Sequence, residues 1–183
     1  GRAASPRLGR ALLDRHSHVL PGVDDGAGDR PDSVSMCRRA AEDGCRVLVA
    51  TPHQRNDSWE NRDPQRLAAL AGELRDRLRE TGPELRLGAE ILIDSELLDE
   101  LDDLSASGLL PLAGTRYLLL EFDRRLGPHG FGIDPETLTH ELLLAGWRPI
   151  YAHPEHIPGL GDDLPLARRL VDQGAAFQIT ASS

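Results

Sequence analysis

The sequence predicts an α/β domain built on a parallel sheet. Short apolar runs alternate with amphipathic stretches, the links between them are brief, and Gly or Pro marks most of the boundaries. Such alternation favours parallel strands joined by crossover helices, as a barrel or as a doubly wound sheet. A length of 183 residues suits one domain with a real core. An eight-unit barrel ordinarily takes about 250 residues, so a barrel here has fewer strands or the chain is incomplete.

The elements follow in order. Residues 12–18 read as a strand. Residues 31–43 read as a helix with Met36, Ala40 and Ala41 on one face and Gly44 at its stop. Val47, Leu48 and Val49 form a short continuous apolar run, the pattern of a strand buried on both faces. Asp63 caps the next helix, with Pro64 at its first position and Leu67, Leu70, Leu74 and Leu78 at helical spacing. A strand is expected over 85–93, a helix over 95–104 and a strand over 117–122. Then come a helix over 135–145, a strand over 149–153, a helix over 165–173 and a last strand over 177–180. The domain is placed at 12–183, with residues 1–11 as an N-terminal tail.

Composition excludes several classes of function. A formal net charge of −9 argues against a nucleic-acid backbone as the main ligand. No apolar run approaches the roughly 18–20 residues of a membrane span, and the arginine-bearing start has no apolar core behind it, so it does not read as a signal peptide. The two cysteines, Cys37 and Cys45, read as reduced structural thiols. Together these point to a cytoplasmic protein. Every basic residue other than histidine is arginine. Without lysine there is no Walker-type phosphate loop, no Schiff base and no carboxylated-lysine metal bridge.

Chemistry-bearing residues gather where strands end. His16 and His18, two apart on a strand, point to one face and form a metal-ligand pair. The loop after them carries Asp24 and Asp25 ahead of Gly26, and an Asp there can close on the same site. His53 follows the second buried strand. Glu90 and Glu121 sit inside apolar strands, where a carboxylate is costly unless paired with an arginine or a metal. His153 closes the strand Ile150-Tyr151-Ala152. The donor set is imidazole and carboxylate without thiolate, which suits manganese, iron or zinc in a catalytic site. Trp59, Phe131 and Trp147 read as packing or pocket wall, His129 and His140 as solvent-facing, and residues 75–79 as the wet face of a helix. Cys37 is followed by Arg38 within a helix, the wrong setting for a thiol nucleophile.

The run Asp14-Arg15-His16-Ser17-His18-Val19-Leu20-Pro21-Gly22-Val23-Asp24-Asp25-Gly26 resembles the opening motif of the bacterial PHP-domain (polymerase and histidinol phosphatase) protein-tyrosine phosphatases of the CpsB/CapC type. These belong to capsule and exopolysaccharide clusters. Ala50-Thr51-Pro52-His53, Gly88-Ala89-Glu90, Tyr117-Leu118-Leu119-Leu120-Glu121-Phe122, Ala152-His153-Pro154-Glu155 and Gln178-Ile179-Thr180-Ala181 resemble its later blocks, in the same order. The resemblance implies a distorted TIM-like (β/α) barrel of the PHP type, lacking its last strand. It implies a site of two to three metal ions, manganese first, with iron, zinc or magnesium as alternatives. The implied ligands are His16, His18, Asp25, His53, Glu90, Glu121 and His153.

The implied activity is hydrolysis of phosphotyrosine on a protein, with a membrane-associated bacterial tyrosine kinase as the expected partner. The family pattern also expects a later Asp-x-His pair, absent from these residues, and an arginine directly after His-Pro-Glu. This chain has His156 there, the candidate to assist the phosphate or the leaving oxygen. Two alternatives share the ligands: a phosphatase of a small monoester such as histidinol phosphate, and a degenerate, non-catalytic metal-binding module.

Overall fold

Strands and helices alternate along the chain in a computed structural model that describes residues 12–125, 134–157, 159–160 and 163–180. The strands are β1 (Leu12–Ser17), β2 (Cys45–Ala50), β3 (His53–Gln54), β4 (Glu84–Leu87), β5 (Glu90–Leu92), β6 (Tyr117–Glu121), β7 (Arg148–Ala152) and β8 (Ala176–Gln178). The helices are α1 (Arg30–Glu42), α2 (Pro64–Leu78), α3 (Leu97–Leu101), α4 (Leu104–Ser107), α5 (Pro135–Leu144) and α6 (Leu164–Gln173). All strand pairs are parallel, as the alternation predicts.

Four helices start by one device. Asp29, Asp63, Asp134 and Asp163 each turn a side-chain oxygen to a backbone N–H of the first turn, and each helix has a proline at its start. The carboxylate satisfies donors that would otherwise lack partners, and proline there forfeits no hydrogen bond. On α2 the buried positions are Leu67, Ala71, Leu74 and Leu78, one helical stripe. On α1 the stripe differs from expectation. Ser33 and Cys37 face inward while Met36 is exposed.

The strands fall into two sheets, ordered β1-β2-β4 and β3-β5-β6-β7-β8. The single strand expected over 85–93 is divided into β4 and β5 at Gly88-Ala89, and β2 gives way to β3 at Thr51-Pro52. Pro52 has no N–H for a ladder. Gly88 packs so closely that a Cβ would lie 2.9 Å from the Leu112 Cα. The break is stitched across: Thr51 N–H donates to the Ser17 carbonyl (2.9 Å), Gly88 N–H to that of Ala50 (2.9 Å) and Glu90 N–H to that of Pro52 (3.1 Å). Each of β1 and β8 has one paired neighbour among the described residues, so these strands do not close a ring. The helix expected over 95–104 is likewise divided, into α3 and α4.

The apolar core has three parts. One lies between the larger sheet and α5 and α6, around Ile91, Leu118, Leu120, Leu138, Leu142 and Leu170. A second lies between the smaller sheet and α1 and α2. The third joins the sheets on their inner side, where Val49 of β2 packs with Leu119, Ile150 and Ala152. Residues 1–11, expected as a tail, and His129 and Phe131 lie outside the described residues. His140 is exposed, and Trp147 packs against the core as expected.

Candidate metal centre

Glu90 is the hub of the site. It opens β5, its side chain is 1% exposed, and four imidazoles surround its carboxylate. His16 Nε2, His18 Nε2 and His53 Nδ1 each lie 3.2 Å from Oε2, and His153 Nε2 lies 2.8 Å from Oε1. Glu121, the last residue of β6, adds a second buried carboxylate, 3.4 Å from His53 Nδ1 and 3.4 Å from His153 Nε2. The nearest charged partners of both glutamates are histidines, with the Arg124 guanidinium farther off at 3.9 Å from Glu121.

The positions follow from the strands. His16 lies in β1, with His18 directly beyond it. The β3–β5 register sets His53 beside Glu90, and the β5–β6 register sets Leu92 beside Glu121. His153 has left β7 and takes left-handed backbone angles, φ 32° and ψ 54°, unusual for a residue with a side chain. Its N–H donates to the Gln178 carbonyl at 2.7 Å. A residue held in such a conformation by its surroundings is a common mark of a functional site.

The Asp24-Asp25-Gly26 loop divides its labour. Asp25 is the more exposed, at 59%, with Oδ1 at 3.8 Å from His18 Nδ1 and 3.6 Å from His53 Nε2. Asp24 has a fully buried side chain. Its carboxylate accepts from His18 Nδ1 (2.8 Å), the His53 N–H (3.1 Å) and the Gly26 N–H (3.0 Å). Asp24 thus orients His18 from behind, the usual outer partner of a ligating imidazole. Gln178 does the same for His16, with its Oε1 2.7 Å from Nδ1. The loop closes over His18 only because residue 26 is glycine, where a Cβ would collide with the His18 backbone and Cβ. Sequence reasoning did not single out Asp24 or Gln178 as orienting residues. The available signal was their placement beside the histidine pair and at the end of the last strand.

Protonation reflects this crowding. Burial alone would lower the His18 pKa, but bonds to Asp24 and Glu90 push it up to about 10. His16 and His53 are also raised against the effect of burial, by Glu90 and Gln178 and by Glu121 and Glu90. Burial would raise Glu90, yet His153, His16 and His18 hold it well below the usual carboxylate range. Asp24 is lowered in the same way, chiefly by His18. These carboxylates demand positive charge beside them, which protons or metal ions can supply.

The donor set fits metal ions. Three overlapping triads, His16-His18-Glu90, His18-Asp25-His53 and His53-Glu90-Glu121, each bring one donor atom per residue within 4.8 Å of one another. Two buried atoms in the cluster, Glu121 Oε2 and His153 Nδ1, lack a hydrogen-bond partner. An orphaned carboxylate oxygen amid imidazoles is what an ion would satisfy. Cys37 and Cys45 are buried, unbridged and away from this cluster, and burial pushes the Cys37 thiol up to about 11. A reactive thiolate is thereby disfavoured.

The implied ligands other than Glu121 line an open cavity of about 300 Å³, together with Arg124, Gln178 and Thr180. Glu121 lines an adjacent cavity of about 330 Å³ with Trp59, whose ring stacks on His53 at 5.4 Å and 10°. His156 stands apart from the cluster. Its ring centre is 6.0 Å from that of His153, its side chain is 46% exposed, and its nearest ion-pair partner is Glu155 at 3.7 Å.

Comparison with known proteins gives the family. Residues 12–183 match the family model for capsular polysaccharide synthesis, CpsB/CapC. The chain is 38% identical over 174 residues to the tyrosine-protein phosphatase YwqE of Bacillus subtilis (strain 168), covering 94% of this chain and 65% of that protein. It is 30% identical over 174 residues to a protein of Staphylococcus aureus named putative tyrosine-protein phosphatase CapC, covering 94% and 65%. Against the tyrosine-protein phosphatase CpsB of Streptococcus pneumoniae it is 29% identical over 172 residues, covering 93% and 68%. A solved structure from the pair YwqE and CpsB, described as unique metal-dependent tyrosine phosphatases, superposes with a TM-score of 0.80 at 36% identity, over 92% of this chain and 66% of that one. The chain thus spans 65% of the length of the first two relatives. It belongs to the CpsB/CapC family.

Proposed function

We propose that this chain carries the metal centre of a metal-dependent protein-tyrosine phosphatase, with His16, His18, Asp25, His53, Glu90, Glu121 and His153 as ligands for two to three ions. The observation that carries this reading is a buried Glu90 with four imidazoles within 3.2 Å, over an open cavity. Manganese is the expected metal, with iron, zinc or magnesium as substitutes. Such ions, when bound, polarise phosphoryl oxygens and make a water acidic enough to attack near neutral pH.

The chain's own residues do the rest. Glu90 and Glu121 hold the ligating imidazoles at fixed separation. Asp24 and Gln178 accept hydrogen bonds from His18 Nδ1–H and His16 Nδ1–H, which keeps the proton on each Nδ1 and leaves each Nε2 free to ligate. In the otherwise mostly polar neighbouring cavity, Trp59 offers an aromatic wall against which a phenyl ring can pack. His156, whose ring centre lies 6.0 Å from that of His153, is the candidate to assist the leaving oxygen. The natural substrate in this reading is phosphotyrosine on a membrane-associated tyrosine kinase of a capsule or exopolysaccharide cluster, met on the cytoplasmic side. The two sheets are read as one distorted barrel. The inner Val49-Leu119-Ile150 cluster and the His16–Gln178 contact, which brings β1 near β8, both support it.

The test is phosphate release from a phosphotyrosine peptide by manganese-loaded protein, in competition with histidinol phosphate. Peptide hydrolysis that resists the metabolite is expected. Two or more ions per chain with no hydrolysis of either substrate defeats the enzymatic reading and favours a non-catalytic metal-binding module.

A further inference from the structure

A carboxylate-lined cavity that takes a phosphate faces a charge conflict. Asp25 and Glu90 line the cavity over the cluster, and Glu121 lies beside it. A monoester phosphate carries close to two negative charges above its second pKa of about 6. Metal ions offset part of the repulsion, and a guanidinium fork fits the remaining phosphate oxygens best. The family resemblance places such an arginine after His-Pro-Glu, and this chain has His156 there.

Among the described residues lining that cavity, Arg124 holds the one guanidinium, and Arg124 also lines the neighbouring Trp59 cavity. We propose that Arg124 grips the substrate phosphate in this site, with the phosphate over the His–Glu cluster and the remainder of the substrate in the Trp59 cavity. This rests on the metal-dependent phosphatase reading.

The placement of Arg124 supports the assignment. It follows Glu121 by three residues, just beyond the end of β6, with its side chain 57% exposed. Among the described residues its one ion-pair contact is Nε to Glu121 Oε1 at 3.9 Å, beyond hydrogen-bonding reach. A contact so long and so exposed holds the guanidinium weakly. The next residue differs. Both Asp123 oxygens, at 2.6–3.2 Å, occupy the Arg125 guanidinium. Of the two adjacent arginines, the one without a partner fork faces the metal-ligand cavity. Cation and phosphate would meet at the seam between the cavities, where the ester bond must lie if the ring occupies one and the phosphate the other.

The test uses the full chain loaded with Mn²⁺ and two probes, inorganic phosphate by calorimetry and p-nitrophenyl phosphate by steady-state kinetics. Arg124→Ala should weaken phosphate binding and raise KM by about 10- to 100-fold, the loss of a charge-assisted bidentate contact. Mn²⁺ content per chain should not change. Arg124→Lys keeps the charge without the fork and should fall between. Arg79→Ala removes the same charge at the end of α2, where Arg79 pairs with Asp76, and should stay within about twofold. The assignment is overturned if Arg124→Ala, fully loaded with Mn²⁺, binds phosphate within about twofold of the parent protein. Failure of the phosphatase reading looks different: the loaded parent itself then neither binds phosphate nor releases any, and the Arg124 assignment falls with it.

Discussion

The two ends of the same strands meet opposite requirements. Just past the break that divides β2 from β3 and β4 from β5, and at the C-terminal ends of β1, β6 and β7, Glu90, Glu121 and four histidines form a polar cluster under an open cavity. At the other end a cavity of about 430 Å³ is walled largely by Leu13, Val47, Leu112, Tyr117 and Ile150. β7 spans both: Ile150 packs with Val49 and Leu119, while His153, three residues on, reaches Glu90. Apolar contacts at one end are non-directional and need mainly the right volume. Polar groups at the other end each need a particular partner, because an unsatisfied buried donor or acceptor costs about 1–3 kcal/mol. Substitutions should therefore register as stability at one end and as metal binding and rate at the other.

The largest effect should come from the hub. Glu90→Gln keeps the shape and removes the charge shared by four imidazoles. Outer-shell partners of a metal site are typically worth about 10–100-fold, and a central ligand should exceed that. Metal analysis should show ion loss, and phosphate release should fall by more than about 100-fold. A variant that keeps its ions and its rate would end the comparison between the two ends.

Asp24→Asn tests the layer behind. It keeps the size of a buried side chain but weakens its bond to His18 Nδ1. Metal affinity should drop by about 10–100-fold, measured by competition with a chelator. An unchanged affinity would mean that Asp24 serves only the loop.

Ile150→Ala probes the apolar end. It should cost about 2–5 kcal/mol of stability by leaving a cavity in the inner cluster, read by denaturant unfolding. Metal content of the folded protein should not change. If ions are lost as well, the two ends are coupled through β7.

The smallest effect is the pH response of the metal-free protein. His18 titrates near 10 when folded against an ordinary 6.5, so the stabilisation it brings is complete below about 6.5 and fades as pH rises toward 10. Glu90 and Asp24 are lowered, so their contribution is present above ordinary values of 4.5 and 3.8 and is lost as pH falls through the lowered ones. The metal-free protein should be most stable between about pH 4.5 and 6.5 and melt progressively earlier from 6.5 to 10. Ion loading should counter that decline, since ligating imidazoles must be unprotonated. A metal-free melting temperature that climbs over the same range would contradict the His–carboxylate pairing.

Much of this was legible in the sequence for a plain reason. The Asp63-Pro64 helix start, the leucines at 67, 70, 74 and 78 and the apolar run of β2 are local signals, and each names its element without help from the rest of the chain, although the buried stripe of α2 takes Ala71 and leaves Leu70 half-buried. A histidine or glutamate at a strand end is legible too, since parallel strands deliver their C-terminal residues to one side. What failed was whatever depended on a distant neighbour. Residues 85–93 read as one strand because Gly88 gives no local sign that Leu112 will press against it. Met36 sits beside the inward stripe of α1, and only packing against α2 and β2 decides which side turns in.

The sequence by itself determined the alternation of strands and helices and the parallel class, and it named the candidate donors, because periodicity, caps and side-chain chemistry are properties of short segments. Only the tertiary structure decided which carboxylate does what. Asp24 and Asp25 are adjacent and chemically identical, yet one is buried behind His18 and the other opens to the cavity. Arg124 and Arg125 are likewise adjacent, and the Asp123 fork separates them. Such divisions arise when segments far apart in sequence fix the direction and burial of each side chain, and no local pattern carries that information.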